Sequence, residues 1–148
     1  MDTLQRFLAY AGDFEKTLAD DDWSRLYQYF NDDAVYEVKA QSFGCKLHGP
    51  KAIFAGMKKS LDGFDRKFAG RDIDVKGAPE IDGDEMSMAW AVTYHQKDLP
   101  DFVLRGSSVV RYRDGKIAYL SDRYDAAMEK EFADWQRGAG MTLNASYT

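Results

Sequence analysis

The sequence predicts an α+β domain. A curved, mostly antiparallel sheet wraps around about three helices from the N-terminal half and leaves a cone-shaped pocket. Three observations predict it. Apolar residues recur at helical spacing in three stretches before residue 63. Between residues 66 and 125 that period is gone, and long stretches alternate with a period of two. Two of these runs meet at Asp114-Gly115, the strongest hairpin signal in the chain.

Residues 3–19 carry Leu4, Phe7, Leu8, Ala11, Phe14 and Leu18 on one side of a helix. Asp2 or Thr3 caps its start. Asp20-Asp21-Asp22 interrupts the pattern, and Asp22 caps a shorter helix with Trp23, Leu26, Tyr27 and Phe30. No further oxygen ligands follow the three aspartates at loop spacing, so they read as a solvated turn and a cap. Asn31-Asp32-Asp33 reads as a turn. Residues 34–39 then alternate as a strand, with Tyr36 and Val38 on one face and Glu37 and Lys39 on the other.

The stretch up to Gly49 reads as irregular. Pro50 suits the first turn of a helix, where its missing N–H costs nothing. That helix carries Ile53, Phe54, Met57 and Leu61 and stops near Gly63. Residues 67–75 read as a strand, punctuated afterwards by Pro79 and Asp82-Gly83. Residues 85–96 read as a long strand. Met86, Met88, Trp90, Val92 and Tyr94 line one face; Ser87, Ala89, Ala91, Thr93 and His95 line the other. A turn at 98–101 leads into the hairpin of residues 104–125. A last helix over 126–137 carries Met128, Phe132 and Trp135. One domain over 1–137 is expected, and 138–148 is expected to be a loose tail.

Composition narrows the function. A chain of 148 residues is one domain's length and can bury a core without staples. A net charge of −5 and a pI near 5.0 give no basic footprint for nucleic acid and no reason to invoke an anionic membrane. No run approaches a membrane span. The first residues mix Asp and Glu into their apolar pattern, unlike a signal peptide, so cytoplasm is the expected location. The single Cys45 excludes an internal disulfide. With only His48 and His95 beside it, neither a metal nor a cofactor is expected.

The one isolated carboxylate is Asp122. It shares a face with Ala118, Leu120 and Tyr124. The turn decides what joins them. A three-residue loop, Arg113-Asp114-Gly115, opposes Tyr112 to Lys116 and adds Leu104, Gly106, Ser108 and Val110. A two-residue Asp-Gly loop adds Arg105, Ser107, Val109 and Arg111 instead. The first is preferred, because it leaves one face nearly apolar and sends both arginines outward. Asp122 then faces Gly106 in a poorly solvated place. Burial raises its pKa, and a carboxyl tuned toward neutrality can act as general acid or base. The structural alternative is an aspartate bonded to a tyrosine or to backbone N–H groups. The 98–101 loop leaves a second choice. Four residues pair His95 with Leu104 and turn His95 inward; an odd number turns Trp90 and Tyr94 inward, which the burial of apolar residues favours.

Three segments carry a family resemblance. They are Tyr29-Phe30-Asn31-Asp32-Asp33-Ala34-Val35-Tyr36, His48-Gly49-Pro50-Lys51-Ala52-Ile53, and Asp114-Gly115-Lys116-Ile117 leading to Ser121-Asp122-Arg123-Tyr124-Asp125. On these the chain resembles the nuclear transport factor 2-like superfamily, in its SnoaL-like branch, over nearly its whole length. The resemblance implies the cystatin-like cone, a small hydrophobic ligand and a homodimer through the open sheet face. That face offers Arg105, Val109, Arg111 and Tyr119. The superfamily includes isomerases, hydrolases, dehydratases, polyketide cyclases and binding proteins, so it implies no single activity. The oxyanion-hole Tyr and the Asp of ketosteroid isomerase match Phe14 and Val38 here. The catalytic Asp and water-holding Tyr of limonene-epoxide hydrolase match Asp122 and Tyr36. Its Asn matches Val38, and its Arg-x-Asp pair has no counterpart between Met86 and Gln96.

Two functions follow. The first is a cofactor-free lyase, isomerase or hydrolase acting on a small hydrophobic cyclic substrate. Asp122 is then the acid or base, Tyr36 a hydrogen-bond donor and His95 a further catalytic candidate. Trp90, Tyr94, Phe54, Met57, Leu104, Tyr124 and Phe14 form the substrate-binding wall. The second is a non-catalytic domain that holds an apolar ligand or assembles as a dimer.

Overall fold

The computed structural model describes residues 1–148. Helix α1, Thr3–Asp20, begins with a reciprocal cap. The Asp2 carboxylate accepts from the Gln5 N–H at 2.8 Å, and the Gln5 side chain accepts from the Asp2 N–H at 3.0 Å. Asp22 caps the next segment as expected, but Trp23–Tyr29 winds as a tighter 3-10 helix. Strand β1, Phe30–Lys39, starts four residues before the visible alternation. Asn31–Asp33 is part of that strand rather than a turn, and the register against the neighbouring strand shifts between Phe30 and Val35.

A short strand β2, Cys45–His48, occupies the stretch that reads as irregular. Helix α2, Pro50–Gly63, follows directly. Strand β3, Gly70–Asp82, runs through Pro79. It is an edge strand with a register shift between Lys76 and Glu80, the setting in which a proline is tolerated. Strands β4, Glu85–His95, β5, Phe102–Arg113, and β6, Lys116–Arg123, complete the sheet. Helix α3 spans Ala126–Ala139 behind an Asp125 cap.

The six strands lie in the order β2-β1-β6-β5-β4-β3. Only β1 and β6 run parallel. Helices α1 and α2 cover the concave face, where Tyr10, Ile53 and Met57 pack against Tyr36, Met86 and Leu120. A second cluster closes the other end. There Phe64 and Met128 meet Tyr94, Phe102 and Leu104.

The organising hairpin corrects the turn and keeps the face. Arg113 opposes Lys116, so the loop is the two-residue Asp114-Gly115, with φ of 55° and 78°. Both residues are left-handed, as a type I′ turn requires. Taken alone this loop would turn Asp122 toward the arginine face. A bulge corrects the parity. Tyr112 pairs with Ile117 while Arg111 pairs with Tyr119, so Ala118 is extra. Asp122 therefore keeps the inner face but lies opposite Ser108, not Gly106.

Residues 141–148, expected to be loose, lie along α2. The Asn144 N–H donates to the Gly63 carbonyl at 2.9 Å, and Ser60 Oγ donates to the Ala145 carbonyl at 2.8 Å. Gly63 makes this approach possible, because a Cβ there would collide with the Asn144 carbonyl.

Candidate active site

Asp122 is held by two hydroxyls. Strands β1 and β6 pair Val38 with Asp122 and Tyr36 with Leu120, which puts Tyr36 and Asp122 on the same inner face. The Tyr36 hydroxyl donates to Asp122 Oδ2 at 2.5 Å. From the opposite strand, Ser108 Oγ donates to Oδ1 at 2.6 Å. Trp90 Nε1 donates to Ser108 Oγ at 2.8 Å, and so fixes which way the serine proton points. Gly106 makes room for that indole, since a Cβ there would stand 2.7 Å from Trp90 Cη2.

Burial pushes the Asp122 pKa up from its ordinary value, and the bonds from Ser108 and Tyr36 pull it partly back. Burial likewise pushes the Tyr36 hydroxyl well up, and the nearby Asp122 charge adds to it. Tyr36 thus stays protonated and spends its proton on the carboxylate. It supports the carboxylate instead of presenting a donor to a ligand. Each Asp122 oxygen accepts one of these bonds and retains one lone pair.

These groups face a cavity of about 530 Å³ in which 23 of 31 lining residues are hydrophobic. That volume suits a small molecule. Its rim includes the half-exposed Leu8 of α1 and Ile73 and Val75 of β3. Of the residues expected on the wall, Trp90, Tyr94, Met57, Leu104, Tyr124 and Phe14 line it. Phe54 does not. It is packed between Trp23, Tyr27 and Phe30, at centroid distances of 5.7, 4.9 and 5.2 Å.

His95 is also outside the cavity. β4 turns Tyr94 inward opposite Phe102, so His95 falls on the outer face. Its Nε2 lies 2.7 Å from Asp72 and its Nδ1 3.0 Å from Asp101. Those two carboxylates raise its pKa. It reaches no group near Asp122.

Two further features line the cavity. Tyr147 lines the cavity beside Tyr36, with ring centroids 5.6 Å apart. The sequence signal for it is the alternation Met141, Leu143, Ala145, Tyr147. The second is a polar group elsewhere on the cavity wall. Asp65 accepts from the Tyr94 hydroxyl at 2.7 Å and from Arg71 Nη1 at 2.9 Å, while Arg71 Nη2 reaches Glu15 at 2.5 Å. Burial raises the Asp65 pKa, and the Arg71 charge opposes the rise.

A family model described as the SnoaL-like domain matches residues 11–120. The chain belongs to the SnoaL-like domain family. Among solved structures, a protein described as a SnoaL-like polyketide cyclase from Shewanella denitrificans is similar, with a TM-score of 0.67 at 17% identity. The match covers 92% of this chain and 97% of that one. TerC, crystallised with polyporic acid, gives 0.65 at 17% identity over 89% and 98% of the two chains. An LEH-like epoxide hydrolase from M. tuberculosis gives 0.54 at 17% over 92% and 96%. These likenesses bear on the fold alone. No curated protein matches the sequence. Within this SnoaL-like domain the inner neighbour of Asp122 on β1 is Val38, buried and without a polar side-chain atom. No helix is long and apolar enough to cross a membrane.

Proposed function

We propose that this SnoaL-like protein is a cofactor-free acid–base enzyme acting on a small hydrophobic cyclic molecule. Asp122 is its proton-transfer group. One observation carries the reading: a carboxyl with a raised pKa, steadied by two hydroxyls, faces an apolar cavity. The ionised carboxyl removes a proton from a carbon acid or from water and becomes neutral. The electron pair stays on the substrate carbon or the water oxygen. The same carboxyl then returns the proton at another atom, so the cycle needs no redox partner. Isomerisation, elimination and hydrolytic ring opening share this step.

Val38 favours chemistry on the substrate's own proton. Beyond the Tyr36 and Ser108 hydroxyls, which are spent on the carboxylate, a polar side chain across from Asp122 on β1 would help position water, and the apolar Val38 occupies that place. A relative described as a polyketide cyclase and another crystallised with polyporic acid are in keeping with a small organic substrate. The reading includes a homodimer through the outer sheet face, where Arg111 stacks 4.2 Å over Tyr119, and a cytoplasmic location.

The competing reading is a ligand carrier. It draws on the engagement of both Asp122 oxygens by protein hydroxyls, an arrangement that also serves structure. Proton exchange separates the two. Cyclic ketones and epoxides are incubated with the protein in D₂O and followed by NMR. The enzyme reading expects deuterium uptake or ring opening with the wild type, and loss of at least about 100-fold in Asp122→Asn with binding retained. Binding without exchange by the wild type decides for the carrier.

A further inference from the structure

We infer that Arg71 is the docking point for a carboxylate, or a similarly planar acidic group, on the cyclic ligand. The inference rests on the ligand reading above and adds a substituent to it. Arg71 projects from the inner face of β3, opposite Tyr94, and lines the same cavity as Asp122. Its side chain is only 12% exposed.

The guanidinium has two usable edges. Nη1 is tied down by Asp65 at 2.9 Å, and Asp65 is itself fixed by the Tyr94 hydroxyl at 2.7 Å. This holds the plane of the group in place. The other edge carries Nε and Nη2, whose parallel N–H bonds form the fork that matches both oxygens of a carboxylate. Only one tine is used. Nη2 donates to Glu15 Oε1 at 2.5 Å, while Nε is buried and has no partner. An unpaired buried N–H on a charged group is costly, and few are left so without reason.

Glu15 has the character of a replaceable occupant. It belongs to α1, its side chain is 44% exposed, and water is available to it if it swings away. A ligand carboxylate taking its place would satisfy Nε as well as Nη2. The charge beside Arg71 would not change, because one carboxylate leaves as the other arrives. The remainder of the cavity is largely aromatic and aliphatic.

The register gives the ligand a direction. Arg71 pairs with Tyr94, and Trp90 lies four residues back along β4, roughly 13 Å away at strand rise. Trp90 donates to Ser108, which donates to Asp122. An acid seated at Arg71 therefore lays its apolar body along β4 toward the proton-transfer group.

The test is binding, measured by calorimetry with 2-naphthoic acid and its neutral methyl ester. The wild type should prefer the acid. Arg71→Gln should weaken the acid by about ten-fold or more and leave the ester little changed. Glu15→Gln, which keeps Arg71 and removes the competing charge, should tighten the acid. That second variant keeps the test open if Arg71→Gln does not fold. Asp122→Asn should keep the preference, so failure of proton transfer and failure of acid recognition read out separately. A wild type that binds the acid no better than the ester, or an Arg71→Gln variant with unchanged acid affinity, overturns the assignment.

Discussion

Replacing Ser108 with alanine separates the two bonds of its hydroxyl by pH. The hydroxyl accepts from Trp90 Nε1 at 2.8 Å and donates to Asp122 Oδ1 at 2.6 Å. Loss of the indole bond costs about 1–3 kcal/mol, depending on whether the N–H finds another partner, and this cost does not vary with pH. The bond to Asp122 does vary. To an ionised carboxylate it is worth roughly 1.5–3 kcal/mol, and to the neutral acid about 0.5–1.5 kcal/mol. Burial holds the folded pKa of Asp122 above its unfolded value. The folded chain thus keeps this proton to higher pH, and the group's contribution to stability falls as pH rises between the two values. The variant loses one bond that favours the charge. Its folded pKa is higher still, so its stability falls further over a wider window. Urea unfolding of both proteins at about pH 3.5 and about pH 8 gives the comparison. The destabilisation at the higher pH should exceed that at the lower by roughly 1–2 kcal/mol, because the indole and packing costs cancel in the difference. Equal destabilisation at the two pH values would refute the placement of a charged Asp122 against Ser108.

Gly63→Val should push residues 141–148 off α2, because the new side chain meets the Asn144 carbonyl. Destabilisation of about 2–3 kcal/mol is expected in urea unfolding, together with stronger binding of an apolar dye as Tyr147 leaves the cavity wall. His95→Gln should leave proton exchange unaltered, since His95 lies between Asp72 and Asp101 on the outer face. The His95 pKa is raised, so its stabilising effect is present below the unfolded pKa and fades as pH rises through the folded one. The variant should therefore lower Tm at acid pH and not at alkaline pH. Loss of exchange would put His95 back into the chemistry.

Much of this architecture is legible in the residues, but not always for the reason that first suggests it. The inward direction of Asp122 follows from the demand for one apolar face. The loop that delivers it is a two-residue turn, and the bulge at Ala118 restores the parity. Nothing in Lys116-Ile117-Ala118-Tyr119 marks that bulge locally. β2 is four residues long and alternates too briefly to stand out. Asn31-Asp32-Asp33 has turn chemistry, yet β1 continues through it, paired with β6 at Phe30 before it and from Val35 after it. The wall of the cavity was largely readable, because Trp90, Tyr94 and Leu104 sit on apolar faces of strands. Phe54 shows the limit. Its place on the α2 stripe says that it is buried, but not whether it meets the cavity or the 3-10 helix. Arg71 and Asp65 were illegible as a pair, since a short 3-10 turn and an edge strand bring them together only in the folded chain.

The most direct test is a carbon-detected NMR titration of the Asp122 carboxyl in the folded protein, repeated in Tyr36→Phe. The midpoint should lie above the ordinary aspartate range and move higher when the tyrosine hydroxyl is gone. A midpoint at or below that range, unmoved in the variant, would contradict a buried Asp122 held by Tyr36.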